Sequence, residues 1–287
     1  MLRKKYRLFW TGGFDSTFRL AELSRRNVKI QPVYLVFNDR RDVTPLELAA
    51  HGKILQWLKK RPETQAMIQP VRYVTENQII VSNEVEHALA WIRQRYAVPQ
   101  CDRLLAAYAE KSKGIEVGLE KPYDKPGRTF IVLNAAGGLH FDEEGIGRLE
   151  DPNHEHPQIM KIHGNYGYSI ANRTEVEMWE QLQEWGYQDL VKLTQTCEHP
   201  YHGTPCGCCT NCFVKIHSAM GWYLGDKAQR RHAILLELRE KDPELASVYR
   251  AYMTGRFAPL KGTGAIPIQL SEKIAQCNRF LAARNAL

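Results

Sequence analysis

Two rhythms of apolar and polar positions alternate over the first 120 residues. Arg7-Leu8-Phe9-Trp10 is a short apolar run that predicts a strand, and a tight Gly-containing turn follows from Thr11 to Ser16. From residue 17 to 26 the apolar positions Phe18, Leu20, Ala21 and Leu23 predict a helix. Residues 28–37, rich in β-branched and aromatic side chains, predict a second strand. Thr44-Pro45 then opens a helix to about residue 60, with Thr44 suited to the N-cap, Pro45 to the first helical position and Glu47 to the third. Residues 70–74 predict a third strand, 84–96 and 101–113 two helices, and 115–118 a fourth strand. Strands alternating with helices in this way imply parallel βαβ units and a sheet covered on both faces.

The pattern then breaks. Residues 120–167 hold many Gly, Pro and His and one strand candidate at 129–133, which reads as an irregular insertion beside a functional site. Residues 175–185 are helical again, and 213–287 are mostly helical with a break near 259–267. The expected organisation is an α/β domain over 1–190 with its insertion at 120–167, a cysteine-rich segment over 191–225 and a helical extension over 226–287.

Charge and composition narrow the function classes. The chain has 287 residues and a net charge of +7, which favours anionic ligands such as nucleotides. The basic residues are spread along the chain without a Lys/Arg block, which argues against a nucleic-acid footprint. No apolar run reaches the roughly 18–20 residues needed to cross a bilayer. The basic start Met1-Leu2-Arg3-Lys4-Lys5-Tyr6 leads straight into the first strand with no signal-peptide pattern, so a cytoplasmic protein is expected. Five of the seven cysteines fall between Cys197 and Cys212, a clustering that points to metal and not to disulfides.

Thr11-Gly12-Gly13-Phe14-Asp15-Ser16-Thr17 sits between the first strand and the first helix, where backbone amides and the helix dipole cradle anions. The glycines permit close backbone approach, Ser16 and Thr17 add hydroxyls, and Asp15 suits a magnesium ion or the substrate. A tight βα turn is the bland alternative. The segment lacks the Gly-Lys-Ser/Thr of a Walker loop. It resembles the Ser-Gly-Gly-x-Asp-Ser signature of the PP-loop ATP pyrophosphatases, with Thr11 in place of the first serine. That resemblance implies an adenine nucleotide alpha hydrolase-like fold, binding of ATP by Thr11 to Thr17, and cleavage between the α and β phosphates with transfer of AMP to a substrate oxygen.

Cys197, Cys206, Cys209 and Cys212 supply four thiolates in sixteen residues, with Gly203, Pro205 and Gly207 letting the chain wrap a small ion. Four sulfurs fill a tetrahedral zinc shell and leave no open position, which implies a structural site. An iron–sulfur cluster takes the same donors. Cys208 reads as a bystander or a reactive thiol, Cys101 and Cys277 as packed side chains, and His199 and His202 as exposed or flanking groups. His154, His156 and His163 read as part of a solvated loop, with a second metal site as the alternative.

The two motifs in this order resemble the 7-cyano-7-deazaguanine synthase family over roughly residues 5–220. Val36-Phe37-Asn38 through Arg41, Glu47-Leu48, Ala97-Val98-Pro99 and Ile115-Glu116-Val117-Gly118 agree with family stretches. So do Asn172-Arg173-Thr174-Glu175-Val176 and Thr194-Gln195-Thr196-Cys197. The resemblance implies Arg173 in place of a lysine that meets the ATP phosphates, a magnesium ion, a homodimer, and Asp15, Ser16 and Arg173 as the catalytic set. It implies adenylation of a 7-deazaguanine carboxylate followed by formation of the amide and then the nitrile. Read as a divergent member, the chain is expected to complete the nitrile, stop at the amide or join the acyl group to another amine, including one on a protein, and the insertion and the tail suit such a partner. Two departures touch the substrate: Lys121-Pro122-Tyr123-Asp124 replaces the family's Tyr-Pro-Asp-Cys, and Gln100-Cys101-Asp102 replaces an Arg-Asn pair. A tRNA-modifying enzyme and a non-catalytic nucleotide-binding module remain as alternatives.

Overall fold

A computed structural model describes residues 3–38, 43–122, 126–255 and 268–287. The expected break at 259–267 and the family positions Arg41, Tyr123 and Asp124 lie outside the described residues. The chain divides into two compact units, Met1–Gln195 and Thr196–Leu287.

The first unit is α/β. Its elements run β1 (Lys5–Phe9), α1 (Phe14–Ser24), β2 (Lys29–Val36), α2 (Thr44–Lys59), β3 (Met67–Ile68), β4 (Arg72–Thr75), α3 (Asn83–Arg93), α4 (Asp102–Glu110) and β5 (Ile115–Glu116). There follow α5 (Arg128–Ala135), β6 (Leu139–Phe141), β7 (Gly147–Leu149), α6 (Pro157–His163), β8 (Tyr166–Gly167), α7 (Glu175–Glu184) and α8 (Gln188–Val191). The main sheet has six strands in the order β3-β2-β1-β5-β8, with β4 also pairing β2. Every pairing in it is parallel. β1 is central, so the loop that follows it opens at the middle of the sheet's carboxyl edge, where open α/β sheets place ligands.

Period-two alternation along the strands feeds two cores. Phe9, Val33, Leu35 and Tyr166 pack with Val85, Leu89 and Ile92 of α3 and with residues of α4, α5 and α6. Val85, Leu89 and Ile92 recur at helical spacing, and Ser82 caps their helix by accepting from the Val85 amide at 3.3 Å. On the opposite face Trp10 and Phe14 are fully buried. Nearly every residue of α1 is buried, including Arg19 and Glu22.

Two local expectations are corrected. Thr129–Leu133 is not a strand: it lies in α5, N-capped by Gly127. A short continuous apolar run fits either state, and here the flanking glycine and the packing of Val132 and Leu133 into the α3–α6 core decide it. Thr44 is not the cap of α2 but its first residue: Val43 is the N-cap, and its own side chain makes no capping hydrogen bond. The insertion also contains the antiparallel hairpin β6–β7, which joins β8 through an isolated bridge between Gly147 and Tyr168.

The second unit is helical. Its elements are α9 (Thr210–His217), a 3₁₀ turn (Gly221–Leu224), α10 (Asp226–Lys241), α11 (Pro243–Met253) and α12 (Ile268–Ala283). Asp242 caps α11 through the Leu245 amide at 3.0 Å, with Pro243 opening the helix. Its core joins the buried cysteines to Leu235, Tyr249 and Leu281. Among the described residues no helix is long and apolar enough to cross a membrane.

Candidate functional site

In the first unit the residues around the β1–α1 turn form one constellation. Gly12 has φ +77°, and a Cβ there would meet the His51 ring at 3.1 Å, so glycine is required on both counts. The Gly12 carbonyl accepts from the Gln195 amide at 2.8 Å. Thr11 Oγ1 accepts from the Gly13 amide at 3.3 Å and shapes the turn. Gly13 is the N-cap of α1 in an extended conformation, with no side-chain cap. Gly13 itself brings no side chain to cap the helix, whose positive end faces the turn.

Ser16 is buried, and its hydroxyl has no hydrogen-bond partner among the described residues. Thr17 is turned inward: its Oγ1 accepts from the Trp10 indole N–H at 3.0 Å. Beneath the turn, His51 stacks on Trp10 with ring centroids 4.2 Å apart. Burial lowers its pKa to about 4, so the ring is neutral near pH 7.

Asp15, Glu120 and Glu175 each place a carboxylate oxygen within 4.8 Å of the other two. Asp15 comes from the first turn of α1 and Glu175 from the first turn of α7, while Glu120 lies two residues past Gly118, whose Cα faces the Ser16 backbone. The Lys121 amide donates to the Arg173 carbonyl at 2.8 Å and ties the last two segments together. Thr174 and Glu177 close a reciprocal capping box that fixes the start of α7. Three ionised carboxylates at this spacing repel by about 3 kcal/mol per pair at an effective dielectric of ~20. All-oxygen donors of this kind suit a hard divalent cation such as magnesium.

A chain of ion pairs runs along α1 from this cluster. Buried Arg19 donates to Glu116 through Nε at 2.6 Å and Nη2 at 3.1 Å, and to Glu22 through Nη1 at 2.5 Å. Arg173 reaches the other oxygen of Glu22 at 3.2 Å and lies over the Phe18 ring at 5.5 Å. Glu120, Glu22 and Arg19 were not legible as site residues, because no local motif marks them, and Glu116 stood in a family-like stretch that gave it no role.

The insertion histidines separate. His154 is exposed with φ +56°, whereas His163 is buried and its Nδ1 lies 3.2 Å from the Tyr168 hydroxyl. His163 is therefore part of the core and not of a solvated loop, and burial lowers its pKa to about 4.

In the second unit Cys197, Cys206, Cys209 and Cys212 are all buried, and their four Sγ atoms lie within 4.8 Å of one another. The Cys197–Cys209 sulfur separation is 4.0 Å. A tetrahedral zinc with ~2.3 Å bonds sets its sulfurs about 3.8 Å apart, so the site is compatible with zinc. Backbone amides point at the sulfurs: Cys206 N to Cys197 Sγ at 3.2 Å, Cys209 N to Cys206 Sγ at 3.2 Å and Cys212 N to Cys209 Sγ at 3.5 Å. Gly207 allows the turn, since a Cβ there would fall 2.1 Å from the Ala228 carbonyl oxygen. His202 and Gly203, both at positive φ, make a tight turn between Tyr201 and Thr204.

Cys208 faces away from the four, and its thiol donates to the Arg231 carbonyl at 3.9 Å. Burial pushes its pKa up, which keeps it an unreactive thiol. Arg231 is fully buried, donating to the Ala286 carbonyl at 2.5 Å, Thr204 Oγ1 at 2.7 Å and the Pro205 carbonyl at 2.9 Å. It forms no ion pair with a carboxylate among the described residues. A tetrathiolate zinc site carries two net negative charges and would balance it.

No family model and no curated protein sequence matches the chain. The functional reading therefore rests on the arrangement of the two sites.

Proposed function

We propose that the first unit is a PP-loop ATP pyrophosphatase domain and that the protein adenylates a carboxylate of the 7-deazaguanine type. The observation that carries this reading is a glycine-capped helix start, bearing the unpartnered Ser16 hydroxyl, beside the Asp15–Glu120–Glu175 cluster. A helix N-terminus with a spare hydroxyl suits a polyphosphate, and an adjacent carboxylate trio suits the cation that accompanies it.

In this reading the Thr11–Thr17 turn holds the phosphates through its amides and the Ser16 hydroxyl, while Arg173 supplies positive charge. Asp15, Glu120 and Glu175 would hold magnesium, which neutralises charge on the phosphate oxygens. A carboxylate oxygen of the substrate attacks the α-phosphorus, and the α–β bridging bond breaks with its electron pair leaving on pyrophosphate. An amine then displaces AMP from the acyl adenylate to give an amide. A second activation, of the amide oxygen, carries that oxygen away with AMP and leaves the nitrile. The four cysteines would hold a structural zinc, since their shell has no place for a substrate.

The test incubates the full chain with ATP, magnesium, ammonia and 7-carboxy-7-deazaguanine and reads nucleotide and base products by mass spectrometry. AMP and pyrophosphate formed only when the acid is present, with amide or nitrile, are expected. Amide or adenylate without nitrile assigns the protein to acyl transfer onto another amine. No AMP under any of these conditions overturns the reading.

A further inference from the structure

Glu22 is a buried carboxylate that the proposed chemistry does not use. It stands on α1 seven residues after Asp15, which puts both on the same helix face with Arg19 between them. Its two oxygens divide their work. Oε2 accepts from Arg19 at 2.5 Å, and Oε1 lies 3.2 Å from Arg173 and 3.5 Å from Arg26. Arg19 is itself held by both oxygens of Glu116, so the carboxylate that Arg173 meets is anchored on a rigid partner.

Arg173 is fixed from three sides. Its carbonyl accepts from the Lys121 amide at 2.8 Å, its amide donates to the Ile170 carbonyl at 3.0 Å, and its guanidinium lies on the Phe18 ring. The contact with Glu22 takes one edge of a planar, five-donor group. About a third of the side chain stays exposed, which leaves donors for a second anion. Two residues further on, Glu175 joins the carboxylate cluster. The positive and negative groups that a magnesium–polyphosphate ligand needs are thus set out by one helix start, and Glu22 fixes where the positive one stands.

We infer that Glu22 is a positioning residue for ATP: it holds the Arg173 guanidinium against α1, beside the Phe18 ring, and acts on the nucleotide only through Arg173. The inference rests on the nucleotide reading above. An unpositioned arginine spends binding free energy on being ordered, so loss of Glu22 weakens the phosphate-dependent part of binding and leaves the rest.

The experiment measures MgATP and AMP dissociation constants by titration calorimetry for the native chain, Glu22→Gln, Arg173→Ala and the double variant. Glu22→Gln is expected to weaken MgATP about tenfold, as loss of a charge-assisted contact does, with AMP changed less than about twofold. The double variant is expected to bind MgATP no more weakly than Arg173→Ala alone, because a residue that acts through another adds nothing once that other is gone. A general loss of structure would weaken AMP as well and would overturn the role. So would additive losses in the double variant, or native MgATP affinity in Glu22→Gln while Arg173→Ala is impaired. Should Glu22→Gln not fold, Glu22→Asp keeps a charge between Arg19 and Arg26 but draws back from Arg173, and a loss of about threefold or more for MgATP alone is expected. A native chain that does not bind MgATP at all marks failure of the nucleotide reading itself, and the role of Glu22 falls with it.

Discussion

The Trp10 indole donates to the Thr17 hydroxyl across the β1–α1 turn, at 3.0 Å and with both side chains fully buried. This bond fastens the residue that follows β1 to the fourth residue of α1 and so ties the start of the helix to the end of the strand. Thr17→Val keeps the shape and removes the acceptor, leaving a buried N–H unpaired at a cost of about 1–3 kcal/mol. Urea unfolding checks this; Thr17→Val with native stability would show that the bond contributes nothing.

The turn itself depends on Gly12. Alanine there must hold a left-handed backbone, costing about 1–2 kcal/mol, and must also push on the ring of His51. Gly12→Ala is expected to lower the unfolding midpoint of the first unit and to abolish MgATP binding. Zinc content should stay at one ion per chain, measured by mass spectrometry of the metal.

The thiols make different demands. Cys209→Ser is expected to lose the metal and to destabilise the second unit by several kcal/mol, since metal binding and folding of such a site are one free energy. Cys208→Ser should keep full metal stoichiometry, because the Cys208 thiol donates to the Arg231 carbonyl and is not one of the four clustered sulfurs, while the backbone amide that meets Cys206 Sγ survives the change. Full zinc in Cys209→Ser would refute the ligand assignment.

Two buried histidines set the acid limit of the first unit. Burial lowers His51 and His163 to about 4, while the unfolded chain protonates its histidines near 6.5. Between those values the unfolded state binds more protons, so stability falls as pH drops from 6.5 to 4, by up to roughly 3 kcal/mol per histidine. Denaturation at pH 7, 6 and 5 should show the decline, and His163→Phe should flatten part of it.

Asp102 works in the other direction. Burial raises its pKa to about 7, from 3.8 when exposed. The folded acid stays protonated where the unfolded one has ionised, so stability falls as pH rises from 3.8 to 7. Asp102→Asn is expected to stabilise the unit at pH 8 by up to about 4 kcal/mol. If Asp102→Asn destabilises the unit at that pH, the carboxylate has a partner that compensates its charge.

What was legible in the sequence was local. The alternation that built β1, α1, β2 and α3 lies within single elements, and the cysteine spacing packs four donors into sixteen residues. The run Thr129–Leu133 misled because a stretch of five apolar or β-branched residues carries no period, and tertiary packing chose the helix. β8 is two residues long and pairs with β5 from fifty residues away, so neither length nor pattern announced it. The carboxylate cluster was half visible. Asp15 sits in a recognisable turn, but Glu120 and Glu175 join it only once the sheet brings their segments to the same edge. Arg19 and Glu116, ninety-seven positions apart, are an ordinary pair of charges until the fold buries them together.

The arrangement around Arg231 has a consequence for order in time. The four sulfurs are complete by Cys212, whereas the groups that cover them, Arg231, Arg250 and the Ala286 carbonyl, come later in the chain. During synthesis the short cysteine segment emerges first, so a metal ion suited to four thiolates would meet its donors before any of the later helices exists. Once α10, α11 and the Ala286 segment have closed over the cluster, an ion held by the four thiolates would leave only when that cover opens. Metal release to a chelator should then proceed at a rate set by local unfolding of the helices and independent of chelator concentration, and a metal released in that way would act as a kinetic lock on the second unit.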